Sequence, residues 1–205
     1  MHEQPIFDGL TMIPADPSSY VLDTGPLSHF AESQWLGALK LVLDGTPVLV
    51  PDVVAAELRA GSLQHPHLVT VVRLLKDGAD ADVGAWIEVV PLETDDQQVA
   101  FARYTRLLVG ADGRNVGECG VLALAQTTPG AVAVLDDRAA RNAGKDHHVK
   151  VRGTLGLLCE AVRRGRLTIV AVSAVADDLL QHDYRLPFSK GGFERWADEN
   201  GLLEH

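Results

Sequence analysis

Short apolar runs alternate along this chain with segments of helical period. Tyr20-Val21-Leu22, Pro47-Val48-Leu49-Val50, residues 86–92, residues 132–135 and Val149-Lys150-Val151 read as buried strands. Between them, residues 33–44, the segment opened by Pro51-Asp52, and residues 68–76, 94–108, 138–144 and 153–164 have the spacing of helices. A helix also follows Gly113, residues 167–170 read as a short extended piece, and helices are expected over 172–181 and 192–199. Strands alternating with helices predict an α/β fold, three layers α/β/α around a central, mainly parallel sheet. Right-handed crossovers then line up the strand C-termini along one edge.

That edge collects carboxylates. Asp23 ends the first apolar run and Asp136-Asp137 ends the run at 132–135, where open parallel sheets place their chemistry. Glu57 and Glu118 fall early in helical segments, each at the margin of an apolar stripe. Bland roles exist for each: Asp23 or Asp137 as a helix N-cap, Glu118 answering a helix dipole, Glu57 at a solvated boundary. Several carboxylates on one crevice repel unless a cation neutralises them, and oxygen-only ligands suit magnesium or manganese. Such a cluster fits metal-assisted phosphodiester hydrolysis, with Asp23, Glu57, Glu118 and Asp136 catalytic and Asp23, Glu118, Asp136 and Asp137 as ligands to one or two ions.

A net charge of −10 opposes a nucleic-acid substrate at first sight, but the charge is uneven. Residues 138–166 carry eight Lys or Arg against Asp146 and Glu160, a +6 segment directly after Asp136-Asp137. A phosphate backbone beside an anionic metal site needs such a segment. Arg138 and Arg141, one turn apart, could fork onto phosphate or serve in surface ion pairs.

Other chemistries find less support. The two cysteines, Cys119 and Cys159, lie in apolar helical stretches and read as buried hydrophobes, in keeping with a reducing cytoplasm. His65-Pro66-His67 and His147-His148 lack a second cluster at zinc spacing. No GxGxxG follows a strand and no GxxxxGK[ST] occurs, and Asp23-Thr24-Gly25 is not the Asp-x-Asp of an aspartyl phosphotransferase. Acids and prolines fill the first 19 residues, so no signal peptide is expected. No apolar run approaches the roughly 18–20 residues of a membrane span, and a soluble, cytoplasmic protein without membrane contact is expected.

VLDTGPLSHF (21–30), VPDVVAAEL (50–58), NVGECGVLALAQ (115–126), VLDDRAARNAG (134–144) and VRGTLGLLCEAVRRGRL (151–167) together resemble the PIN domain family of ribonucleases, specifically its VapC-like, toxin-related members. DYRLPF (183–188) and GGFERW (191–196) are similar to the tail of one branch of that family. The resemblance implies a magnesium- or manganese-dependent endoribonuclease with Asp23, Glu57, Glu118 and Asp136 as its acids and Asp137 as competitor or further partner. It adds Thr24 and Ser28, near the first aspartate, as substrate-binding candidates. Relatives often carry Thr or Ser shortly before the last aspartate, where this chain has Leu135. Implied partners are RNA and, for a toxin of a type II toxin–antitoxin pair, a small antitoxin presenting an Arg to the carboxylates; dimers are common among relatives. The alternative is a PIN-like module without turnover that regulates or binds a partner. The expected organisation is an irregular leader over 1–18, a nuclease domain over 19–170 and a helical extension over 171–205 packed on it.

Overall fold

The computed structural model describes residues 17–77, 82–110, 113–182 and 184–203. Six strands form one all-parallel sheet: β1 (Tyr20–Leu22), β2 (Val48–Pro51), β3 (Leu75–Lys76), β4 (Ile87–Val90), β5 (Val132–Val134) and β6 (Val151–Arg152). Their order across the sheet is β3-β4-β2-β1-β5-β6. Helices α1 (Thr24–Glu32), α2 (Leu36–Leu43), α3 (Asp52–Ser62), α4 (Pro66–Arg73), α5 (Asp95–Leu108), α6 (Val116–Thr127), α7 (Arg138–Asp146), α8 (Thr154–Arg163), α9 (Ile169–Gln181) and α10 (Phe193–Glu199) cover it. The architecture is the expected three-layer α/β/α fold.

Chain order reverses about β1: the next strands build toward β3 on one side, while β5 and β6 lie on the other. The C-terminal ends of β1 and β5 therefore mark the switch point, the place where α/β sheets bind ligands. Leu22 is paired with Val134, and the Asp23 N–H donates to the Val134 carbonyl at 3.2 Å. Asp23 and the Asp136-Asp137 turn thus leave the sheet at nearly the same level.

Helix α6 packs across β2, β1 and β5 and is buried at eight consecutive or near-consecutive positions from Gly117 to Ala125. Its glycines admit α3 to close range. A Cβ on Gly120 would collide with Val53 Cγ2 and sit 3.1 Å from Pro51 Cγ, and one on Gly117 would lie 2.6 Å from Glu57 Oε2. The NVGECG run therefore seats the α3 glutamate against the first turn of α6.

Two local expectations change. The helix expected over 68–76 ends at Arg73, because Leu75 is buried by pairing with Ile87 as the edge strand β3. The extended piece expected over 167–170 is absent. Thr168 caps α9, its Oγ1 accepting from the Ala171 N–H at 3.2 Å, so the β-branched Ile169 and Val170 form a first helical turn. Most of the leader expected over 1–18 lies outside the described residues; Ser18 is tied to the loop before β5 by a 2.6 Å bond to the Pro129 carbonyl.

Beyond α8, Val172, Val175, Ala176, Leu179, Phe193 and Ala197 are fully buried in the same apolar cluster as the strands. The Trp35 indole N–H donates to Asp178 at 2.8 Å, fastening α9 to the start of α2. Among the described residues no helix is long and apolar enough to cross a membrane.

Candidate active site

Asp23 caps α1 from the end of β1, and its position there follows from the sequence: three apolar residues for a buried strand, then a short acid, then Thr24-Gly25-Pro26 to open a helix. Its side chain is 8% exposed, and the Gly25 N–H reaches Oδ2 only at 3.3 Å. Burial, then the Glu118 carboxylate and more weakly Glu57, push the Asp23 carboxyl up to about 8. Opposing them are backbone N–H groups of Gly25 and Thr24. Asp23 is a buried acid with acids for neighbours, which disfavours its ionised form.

Glu118 lies in the first turn of α6. Burial raises its carboxyl above the ordinary range, and Glu57 and Asp137 add to that. Glu57, solvent-exposed on α3, accepts from the Thr24 hydroxyl at 2.8 Å. The charges of Glu118 and Glu57 thus act on Asp23, Thr24 fastens Glu57, and the charge of Asp137 is felt at Glu118. Asp137 is exposed and caps α7, accepting from the Ala140 N–H at 2.7 Å through Oδ1.

Asp136 faces a different set of partners. Its Oδ1 accepts from the Thr154 N–H and its Oδ2 from the Thr154 hydroxyl, both at 2.8 Å. Thr154 is wholly buried at the start of α8. Burial drives the Tyr184 phenol far above its ordinary value, and the Asp136 carboxylate adds to the shift. The ring of Tyr184 meets His29 edge-on with centroids 4.7 Å apart. The His29 imidazole is held below its usual range by burial, against a smaller upward pull from Asp136, and its buried Nδ1 has no hydrogen-bond partner.

The remaining sequence candidates divide in the same way. Ser28 pairs with His67 Nε2 at 3.0 Å, joining α1 to α4 rather than turning to the carboxylates. Arg141 donates through Nη1 to the carbonyls of Leu135 at 3.2 Å and Asp136 at 2.6 Å, so its guanidinium holds the β5–α7 turn. Arg138 is exposed at the start of α7. Thr154, Tyr184 and His29 were not singled out from sequence, and His67 was weighed only as a zinc ligand. A Thr two residues after β6 and a Tyr in the DYRLPF run were the signals available, and neither says what it meets.

The donors are carboxylate oxygens, the type that suits magnesium or manganese. Among the described residues, no three His, Cys, Asp or Glu side chains already stand together as an ion-holding group. The fit therefore lies in donor chemistry and in the uncompensated charge about Asp23. A family model described as a PIN domain matches residues 19–189, and so runs through Tyr184 and past residue 170. No curated protein and no solved structure gives a significant match.

Proposed function

Because the chain belongs to the PIN domain family, whose members are generally nucleases, we propose that it is a divalent-metal-dependent endoribonuclease. Its acids are Asp23, Glu57, Glu118 and Asp137. The observation that supports this best is the state of Asp23: buried at the switch point, raised to about 8 by burial, Glu118 and Glu57, and opposed by backbone N–H groups. A group so placed gains most from a cation. Magnesium or manganese bound here supplies acidity to a water and offsets charge on the departing oxygen.

Asp23, Glu118 and Asp137 hold the ion in this reading. A cation there would favour the ionised form of Asp23 by offsetting its repulsion from Glu118 and Glu57. Glu57 is fixed by Thr24 at 2.8 Å and packed over Gly117, so its carboxylate is aimed before substrate arrives. It is placed to orient the attacking water and accept its proton. Arg138, exposed beside Asp137, meets the RNA backbone. In a toxin of this kind, the antitoxin would put an arginine among these same carboxylates.

The test is cleavage of structured and single-stranded RNAs by wild type and Asp23→Asn with manganese, magnesium or EDTA. Cleavage lost both in EDTA and in Asp23→Asn is expected. Cleavage that survives Asp23→Asn would defeat the site assignment, and manganese binding without any cleavage would favour the regulatory module.

A further inference from the structure

Between α5 and the last turn of α6 lies an open cavity of about 290 Å³, lined by Asp96, Val99, Ala100, Arg103, Gln126 and Thr127. None of these belongs to the carboxylate site. Asp96 and Arg103 stand seven residues apart on one face of α5, about 10 Å along its axis. Both are exposed, and neither makes a hydrogen bond or ion pair among the described residues.

The walls are held in place. Thr94 and Gln97 close a capping box around the turn that bears Asp96, with bonds of 3.0 and 3.3 Å. The Tyr104 ring is wholly buried and meets His147 edge-on with centroids 5.5 Å apart, and its hydroxyl donates to Gln126 Oε1 at 2.9 Å. That bond turns the Gln126 amide so that its NH2 is the group left to donate. Thr127 donates back to the Ala123 and Leu124 carbonyls at 2.9 and 3.2 Å, and so brings no free donor. Val99, 60% exposed, and Ala100 add an apolar wall. The cavity thus offers a cation and an anionic acceptor two turns apart, an aimed amide donor and an apolar surface.

We propose that this cavity is a nucleotide subsite for the RNA, Arg103 taking a phosphate while Asp96 and Gln126 take the edge of a base that bears an exocyclic amine. The proposal rests on the reading of the chain as an enzyme that cuts RNA. A guanidinium forks onto phosphate oxygens. A carboxylate accepts from the amino group of cytosine, and an amide NH2 suits the acceptor next to that amine. Uracil has a carbonyl where cytosine has its amine, so Asp96 would meet an acceptor with an acceptor and reject it. Gln126 is eight residues beyond Glu118 on α6, about 12 Å along the helix, a span that a short RNA strand covers.

The test titrates the full chain in EDTA with cytidine or uridine monophosphate, following the Gln126 side-chain amide by NMR, and then with cytidine and uridine oligomers. Wild type is expected to bind each cytidine ligand about tenfold more tightly than its uridine counterpart. Asp96→Asn should abolish that preference, and so should Gln126→Glu, which keeps the acceptor for Tyr104 and removes the donor. Arg103→Gln should weaken every ligand about fivefold and reduce the salt slope for the oligomers by about one. Arg106→Gln, an equal loss of charge on α5 outside the cavity, should leave the preference unchanged. Absence of saturation at the Gln126 amide, equal binding of the two monophosphates, or a preference that survives Asp96→Asn each overturns the proposal. Monophosphates told apart through Asp96 while the oligomers bind alike overturn the RNA subsite in favour of a site for free mononucleotide. The expected pattern in a chain whose wild type cuts no RNA with manganese supports the subsite and defeats the nuclease reading separately.

Discussion

Asp23 and Asp136 follow neighbouring parallel strands within one residue of the same level, yet the fold treats their carboxylates in opposite ways. Asp136 is supplied with a backbone N–H and a buried hydroxyl, both from Thr154. Asp23 is supplied with the backbone N–H groups of Gly25, at a long 3.3 Å, and Thr24, and with two acidic neighbours. A carboxylate bonded through both oxygens to one residue is held in place by the fold. A buried one left beside other acids is stable only when something else arrives. Burial alone does not separate a working acid from a structural one; the partners do.

The largest effect that could break this comparison comes from the adjacent pair. Asp137→Asn is expected to lower kcat/KM about a thousandfold, roughly 4 kcal/mol, as loss of a site carboxylate. Asp136→Asn is expected to cost about tenfold, the scale of an outer partner, while lowering thermal stability because Thr154 loses a charged acceptor. Equal losses of activity from the two would erase the distinction, and steady-state kinetics beside a melting curve decides it.

The pH dependence sharpens the Asp23 half. With its folded-state value raised to about 8, from about 3.9 when unfolded, this carboxyl favours folding fully only below about pH 4. That contribution is lost as pH rises through 8. Metal-free wild type is therefore expected to lose stability against Asp23→Asn from pH 5 to pH 8, on the order of 3 kcal/mol. Calorimetry in EDTA measures this, and saturating manganese is expected to flatten the slope. A wild type and variant that run parallel across this range would mean that Asp23 is not under charge stress.

Gly117→Ala probes the seat of Glu57. The added Cβ would fall 2.6 Å from Oε2, the far end of a flexible side chain, so Glu57 must swing away and leave Thr24. Alanine is also the better helix former by about 1 kcal/mol. The expected outcome is a loss of about tenfold in kcat with stability unchanged or slightly higher. A parallel loss of both would mean that Gly117 serves packing alone.

How much of this was legible before the fold depends on range. Asp23 was readable because a three-residue apolar run, an acid and Gly25-Pro26 are all local, and parallel pairing then set its level. Glu57 and Glu118 were readable as first-turn or boundary glutamates, but not that Gly117 and Gly120 bring α3 against α6. The different partners of Asp136 and Asp137 could not be read, because Thr154, which bonds Asp136, lies 18 residues on. At two residues β3 is too short to show a period, and the run Thr168-Ile169-Val170 has strand composition overruled by one capping hydroxyl.

The smallest effect separates two arginines that the sequence presented as a pair. Arg141 spends its guanidinium on the Leu135 and Asp136 carbonyls, so replacing it uncovers backbone acceptors and loosens the turn. Arg138 is exposed, and away from such features substitutions stay within about 0.5 kcal/mol of wild-type stability. If it meets phosphate, Arg138→Ala should raise the KM for RNA about threefold at low salt, with kcat unchanged. That effect should fade as salt screens the contact, since losing one phosphate contact reduces the salt slope by about one. A KM shift that persists at high salt would instead point to a directed hydrogen bond, and a fall in kcat would move Arg138 from the RNA-binding surface into the support of Asp137.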